Sequence, residues 1–386
     1  MTAPAPLALY IHWPFCVSKC PYCDFNSHVR EQTDVAAWKT ALLADMAHEA
    51  ALTTGRPLSS IFFGGGTPSL MPPSLVAELI NKAERHWGFA ENIEITLEAN
   101  PSSVEAARFI DLAQAGVNRV SLGLQSLDNQ TLQFLGRAHD VKEGLAALDV
   151  AQKAFDRVSF DLIYARPDQS LDSWQQELER ALSFGTDHLS LYQLTIEPGT
   201  RFETLVRTGA LVPADDDHCA DMFELTQDLT RNAGLPAYEI SNHARAGQES
   251  RHNLTYWRYE DYVGIGPGAH GRRLNTATER HKKPENFLSA VDRNSNGLKV
   301  EQALSPQTRA MEALMMGLRL AEGVDLVALQ DKTGLAVSTM LDIGEIAKLS
   351  TLDLVHQHDD RLTVTPKGMP LLDAILPKII ADPSQL

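Results

Sequence analysis

The sequence predicts an α/β chain, a partial (β/α)6 TIM-like barrel followed by a small C-terminal winged-helix-like α+β domain, and three observations predict it. Short apolar runs alternate with amphipathic stretches of helical period through the first half of the chain. Glycine or polar residues sit at or just beyond the end of each run, where a parallel barrel keeps its chemistry. The 386 residues make two or three domains at roughly 150 residues each, and the last eighty or so change pattern.

The first apolar run begins at Leu7 and is ended by Pro14, so the cysteines that follow lie on a loop. Further strands are predicted at Ser60 to Phe63, Ile93 to Leu97, Arg119 to Leu122, Val158 to Ile163 and His188 to Tyr192. Helices are predicted between them near Asp34 to Leu52, Pro73 to Trp87, Val104 to Ala115, Val141 to Phe155 and Leu171 to Phe184. Strands alternating with helices of this length imply a parallel sheet with right-handed crossovers. The strand ends carry Gly64-Gly65-Gly66-Thr67-Pro68, Glu98-Ala99-Asn100-Pro101, Gly123-Leu124-Gln125-Ser126, Asp161, and Gln193 to Gly199.

Residues 1–240 are expected to form the barrel and residues 241–304 a further segment and linker, with the polar stretch Asp292 to Gly297 as the linker proper. In residues 305–380, helices at Thr308 to Leu320, Asp325 to Lys332 and Ser338 to Lys348 precede a hairpin, Leu352 to Val355 and Arg361 to Thr365, in the order of a winged helix.

Charge narrows the partners. Lys plus Arg number 34 against 50 for Asp plus Glu, a net charge of −16, which repels a polyanion. The candidate recognition helix has no basic cluster, so nucleic acid is not expected as a partner. The N-terminus has no basic region, and the apolar stretch after it is broken by His12 and Pro14. Neither a signal peptide nor a spanning helix is expected, and the expected location is the cytoplasm.

Three of the four cysteines, Cys16, Cys20 and Cys23, lie within eight residues. Structural zinc wants four ligands, usually in two pairs, and a ferredoxin cluster wants four thiolates. Three thiolates on a loop fit a [4Fe-4S] cluster whose fourth iron stays open to a small chelating molecule; a structural zinc or three unrelated buried thiols is the plainer alternative. Cys219, in the helical stretch after Asp215-Asp216-Asp217-His218, reads as an inert thiol.

The strand-end residues have donor and acceptor chemistry of their own. The glycine run lets backbone N–H and C=O groups approach a ligand. Glu98 and Asp161 can accept from an ammonium or a ribose hydroxyl, Gln125 can bond a ribose, and Arg137 can fork onto a carboxylate.

The CxxxCxxC loop after the first strand resembles the radical S-adenosylmethionine (SAM) enzymes, which implies a radical SAM barrel. In these the methionine amino and carboxylate groups chelate the open iron, and one electron from the cluster cleaves the sulfonium. From Tyr10 to about Leu372 the chain is similar to the oxygen-independent coproporphyrinogen oxidase-like group of that superfamily. By that resemblance Cys16, Cys20 and Cys23 fall on the cluster ligands, and Tyr10, Tyr22, Gly65, Gly66, Thr67, Glu98, Gln125, Arg137 and Asp161 on the SAM contacts.

Two features resemble the haem-chaperone branch of the group rather than the oxidase branch. Phe25 stands where the oxidases carry a further cysteine, and Arg251-His252-Asn253-Leu254-Thr255-Tyr256-Trp257 matches the HNxxYW motif of the chaperones. The resemblance implies haem as cargo, with His252, Tyr256 and Trp257 at the haem and His243 or His270 as alternative iron ligands. It also implies haem-accepting recipients, including respiratory ones, and at most peripheral contact with a membrane. The other function carried is oxidative decarboxylation of coproporphyrinogen III; a third, radical modification of RNA, conflicts with the acidic charge. Sequence does not decide between carrier and catalyst.

Two local features are set apart. Gly266-Pro267-Gly268-Ala269-His270-Gly271 matches GxGxxG literally but contains proline and opens no helix, so it is not read as a dinucleotide site. Arg166, where the group usually has glycine and leucine before the proline, is expected to alter the pocket.

Overall fold

The computed structural model describes residues 6–30 and 32–381. Six parallel strands form its centre: β1 Leu7–Trp13, β2 Leu58–Gly65, β3 Phe89–Ala99, β4 Arg119–Gln125, β5 Arg157–Tyr164 and β6 His188–Gln193. They lie side by side in chain order. This is the α/β radical SAM-type partial barrel that the strand pattern predicts.

The strands alternate with period two, but the apolar face is the outer one. Leu9, Ile11, Ile61, Phe63, Ile95, Leu97, Val120, Leu122, Phe160 and Leu162 join the main core. Their neighbours on the other face are polar and pair across strands, Ser121 Oγ donating to Asp161 at 3.2 Å and Arg119 Nη1 to Thr96 Oγ1 at 3.4 Å. Burying each large apolar side chain on the outer face contributes about 1.5–3 kcal/mol, which leaves the inner face free for chemistry.

The helices Val35–Leu52, Pro73–Trp87, Val141–Ala154 and Leu171–Leu182 match their expected spans closely. The stretch expected as one helix from Val104 to Ala115 is two short ones, Ser103–Ala106 and Phe109–Gln114. The Glu105 carboxylate holds the first against the end of β3 by accepting from the Asn100 N–H at 2.8 Å, while Phe109 and Leu112 are sunk in the core. One straight helix cannot serve both anchors.

Residues 241–304 differ most from expectation. Instead of ending in a linker they add five strands: β7 Asn242–Ala244 beside β6, and β8 Tyr262–Ile265, β9 His270–Arg273, β10 Thr276–Arg280 and β11 Leu298–Ala303 beyond β1. β8 is parallel to β1, and the remainder are antiparallel to their neighbours. The polar residues taken for a linker end the helix Pro284–Asn294 and turn into β11. That turn is held because the Gly297 N–H donates to the buried Asp45 carboxylate at 3.0 Å. Asp45 and Glu49 in turn pair with the buried Arg280, and Glu49 with Arg273, locking this extension onto the first helix. The GxGxxG match lies in the β8–β9 turn, with Gly266 at positive φ beside the His12 carbonyl, and its N–H donates to Asp45, not to a ligand.

The C-terminal unit has its own core around Leu314, Val355, Leu362 and Ile379. Its helices are Pro306–Gly317, Leu326–Thr333 and Ile343–Thr351, and its sheet is β12 Val324–Asp325, β13 Val355–His358 and β14 Arg361–Val364, in the order β12-β14-β13. The third helix starts later than expected, because Leu341 bridges to Ile380 and Asp342 caps the new start at the Glu345 N–H. A final turn and helix, Met369–Leu371 and Leu372–Ile379, lead back to the barrel mouth.

Candidate functional site

A cavity of about 1300 Å³ opens at the C-terminal ends of β2 to β6. Cys16, Cys20 and Cys23 line one side, the strand-end residues the floor, and Met369 to Asp373 of the C-terminal unit the opposite rim.

All four cysteines carry free thiols. Burial pushes the Cys16 and Cys23 thiols up, and each thiol of the trio raises a neighbour further, so all three share one electrostatic neighbourhood. Among the described residues no three ligating side chains close on a single metal ion. The donor set fits a cluster several ångströms across, and not a mononuclear zinc.

β2 delivers its glycines under this loop. The Gly66 N–H donates to the Trp13 carbonyl at 2.7 Å, and a Cβ on Gly66 would stand 2.7 Å from the Phe15 carbonyl oxygen and 3.0 Å from Cys16 Sγ. No side chain fits there. Thr67 Oγ1 donates to Cys16 Sγ at 3.5 Å and accepts from Asn100 Nδ2 at 3.1 Å.

The floor is acidic and short of protons' usual partners. Glu98 accepts from the Gly65 N–H at 3.3 Å. Its carboxyl is pushed up to about 8 by burial and then by the Asp161 charge. Asp161, also raised by burial, reaches about 6 against the hydrogen bonds of Ser190 and Ser121. At neutral pH Glu98 keeps its proton and Asp161 is the anion of the pair, so the floor is ready for an incoming cation.

The remaining predicted contacts divide. Tyr22, Gly65, Gly66, Thr67, Glu98, Gln125, Arg137 and Asp161 all line the cavity. Gln125 holds a positive φ of 67° at the end of β4. Tyr10 is not on the wall; it lies beneath, its hydroxyl 2.9 Å from His12 Nδ1. Arg137 is committed to the protein, donating to Asn100 Oδ1 at 2.5 Å, the Gly123 carbonyl at 3.0 Å and Cys20 Sγ at 3.4 Å. Only its buried Nε lacks a partner.

The haem motif is elsewhere. His252 is 1% exposed in the helix Arg251–Trp257, which closes the lower end of the barrel under the Glu94 carboxylate. Its Nδ1 lies 2.9 Å from Ser60 Oγ and its Nε2 2.7 Å from the Tyr256 hydroxyl, so neither nitrogen is free for iron. Burial pushes its pKa down to about 3. Tyr256 and Trp257 do not line the cavity either, His243 is buried, and His270 is exposed at the start of β9 away from the wall. The expectation of His252 as an accessible iron ligand is therefore corrected: the motif is a packed plug. A single chain's pattern could not reveal that both nitrogens are taken.

What the sequence missed lies on the wall. His139, Met369 and Cys219 line the cavity, and Cys219 does so from the helix Asp216–Asn232. A helical reading of Asp216 to Asn232 places Cys219, Ala220 and Phe223 on one face and would have flagged it.

Arg166, expected to alter the pocket, turns away from it. It pairs with Glu177 at 2.6 Å and donates to Ser126 Oγ at 2.8 Å, with both ions nearly fully buried. Removing one member of such a pair leaves a buried charge uncompensated. Arg166→Ala is expected to cost about 3–5 kcal/mol in urea unfolding with SAM affinity within twofold of the parent; a stability loss under about 1 kcal/mol contradicts the pairing.

Thiols on one loop above the C-terminal ends of parallel strands define a radical SAM protein, and the family profile "Radical SAM superfamily" matches residues 10–181. The profile "HemN C-terminal domain" matches residues 304–371. "Heme chaperone HemW" of Escherichia coli is 40% identical, with 86% of this chain and 87% of that protein covered. "Heme chaperone HemW" of Haemophilus influenzae is 37% identical over 96% of this chain and 97% of that one. "Radical S-adenosyl methionine domain-containing protein 1, mitochondrial" of Bos taurus is 39% identical, covering 83% and 76%. The chain belongs to the HemW family. In fold it matches the coproporphyrinogen III oxidase HemN of Escherichia coli, with a TM-score of 0.82, 24% identity and 96% and 89% coverage. Membership of the radical SAM family implies a [4Fe-4S] cluster and SAM. Among the described residues no helix is long and apolar enough to cross a membrane.

Proposed function

We propose that the protein binds haem and hands it to acceptor proteins, carrying a [4Fe-4S] cluster on Cys16, Cys20 and Cys23 and SAM on the open iron. The cavity carries this reading. Its volume of about 1300 Å³ exceeds the roughly 300–1,000 Å³ of an ordinary small-molecule site, which gives room for a macrocycle beside SAM. The HemW relatives supply the class of cargo.

When bound, the cluster supplies one-electron reduction of the SAM sulfonium. The chain does the rest. Gly65 and Gly66 bring bare backbone to the methionine end, Glu98 and Asp161 receive its ammonium or the ribose hydroxyls, and Gln125 reaches the ribose. Tyr22 packs at the adenosine, Arg137 fixes the Cys20 side of the loop, and Thr67 the Cys16 side. Tyr10 supports this floor from below through His12.

Haem lies above, against the apolar wall of Val104, Leu194, Phe223, Ile240 and Leu371, with His139, Cys219 and Met369 offering atoms that ligate iron. In this reading residues 1–240 hold cluster and SAM, residues 241–304 brace and plug the barrel, and residues 305–380 form the rim over the cargo. The acceptors are haem proteins, the respiratory ones included, reached in the cytoplasm or at a membrane surface.

The test is a haem titration of anaerobically reconstituted protein, with reduction and SAM as separate variables. A saturable Soret band at one haem per chain is expected. No Soret response removes the chaperone reading, and conversion of coproporphyrinogen III with SAM and a reductant puts the oxidase in its place.

A further inference from the structure

The cysteine loop has a second opening. Behind it, away from the floor, lies a cavity of about 510 Å³ lined by Lys19, Cys20, Pro21, Cys23, Phe134 and Arg201 among others. Cys20 and Cys23 thus wall both cavities, and the loop is a partition one residue thick at these thiols. The back wall is rigid: the Phe134 and Phe202 rings stack with centroids 4.8 Å apart, and the Phe202 N–H donates to the Pro21 carbonyl at 3.0 Å.

Charge at this opening runs against the molecule. The protein carries −16 overall, yet the only charged residues lining the rear cavity are Lys19 and Arg201, both exposed and both without an ion pair among the described residues. Unpaired cations beside an entry on an acidic protein steer an anionic partner to that spot and orient it.

We infer that the rear cavity is the docking point of a small acidic one-electron carrier protein, whose redox group is brought against Cys20 and Cys23 while SAM and haem occupy the front. This rests on the cluster reading above. Reduction of the sulfonium needs an electron, and the one cysteine outside the loop, Cys219, stands alone, so no second metal cluster is available in the chain to supply it. The step moves one electron: the carrier is oxidised by one unit, the cluster goes from the 2+ to the 1+ state, and no bond or proton is transferred. Redox encounters are short-lived and small, below roughly 1,200 Å² of buried surface, which a 510 Å³ recess with a two-charge rim suits.

The test uses photoreduced flavodoxin, an acidic flavin carrier, as probe, and the double charge reversal Lys19→Glu with Arg201→Glu. At low ionic strength, bleaching of the cluster absorption by flavodoxin should slow roughly tenfold in the variant, and calorimetry should show flavodoxin affinity weakened to match. Both differences should shrink in about 0.5 M salt, where the Debye length falls to a few ångströms. Dithionite, a small reductant with no docking face, should bleach both proteins alike. Equal flavodoxin rates and affinities overturn the inference, as does a tenfold slowing that persists in high salt. If the parent holds no iron, the cluster reading fails instead, and the affinity measurement on iron-free protein still decides the docking. Should the double reversal not fold, the neutral pair Lys19→Gln with Arg201→Gln carries the same comparison with about half the effect on a logarithmic scale.

Discussion

Replacing His252 with alanine lowers stability by about 3–4 kcal/mol and leaves the haem absorption of the folded protein in place. The imidazole is one of the most connected groups in the barrel. It stacks on Phe62 at 5.0 Å between centroids, meets the edge of Tyr256 at 4.8 Å, and joins Ser60 to Tyr256 through its two nitrogens. Being neutral, the ring donates to one partner and accepts from the other. Alanine leaves a hole and strands two buried hydroxyls, and each of these costs one to a few kcal/mol, roughly. The cavity wall does not include His252, so cargo contacts are untouched. Urea unfolding and haem titration of the same sample separate the two roles. A folded variant with normal stability and no Soret band would return the iron to His252.

Glu98→Gln makes the empty protein more stable and abolishes most of its SAM binding. The carboxyl titrates near 8 in the fold against an ordinary value of 4.5. Between those values the unfolded chain has shed this proton while the folded one keeps it, so Glu98 takes stability away as pH rises through that window, at up to about 1.4 kcal/mol per unit. Above pH 8 the loss is complete and no longer grows. Glutamine keeps an acceptor for the Gly65 N–H and has nothing to ionise. Its advantage over the parent in urea midpoint should therefore be larger at pH 8.5 than at pH 5, roughly levelling above 8. SAM affinity should fall by at least about tenfold, since an amide cannot neutralise an ammonium. An advantage that is the same at both pH values refutes the buried-acid account, and unchanged SAM affinity refutes the contact. Such a gain in stability with loss of binding is what a site held ready for a cation costs its empty fold.

The fold was largely legible because its signals are local. Each of the six strands is an apolar run bounded by turn residues, and the helices between them carry their own caps, such as Asp140, which accepts from the Glu143 N–H at 2.8 Å. The cysteine loop was legible because its spacing is a short-range constraint. Eight of the nine expected SAM contacts line one cavity for the same reason: strand ends in a parallel barrel meet at one rim.

Long-range pairing was not legible. Asn294 to Gly297 read as a linker because the residue that binds the turn, Asp45, lies some 250 positions earlier. Arg166 read as a pocket residue because Glu177, which claims it, is not marked by any motif. His252 read as a ligand because a motif names residue types and is silent on whether their polar atoms are already spent on Ser60 and Tyr256.

By itself, then, the amino-acid order determined the radical SAM barrel, the three thiols, the strand-end contacts and the winged C-terminal unit, since each is written in spacings of a few residues. The tertiary structure alone decided which face of the barrel is open, that the histidine motif is its plug, that Cys219 and Met369 share a wall with the cluster loop, and that the loop can be approached from behind. Those outcomes depend on hydrogen bonds and charges between segments far apart in the chain, and their free energies exist only once the chain has folded.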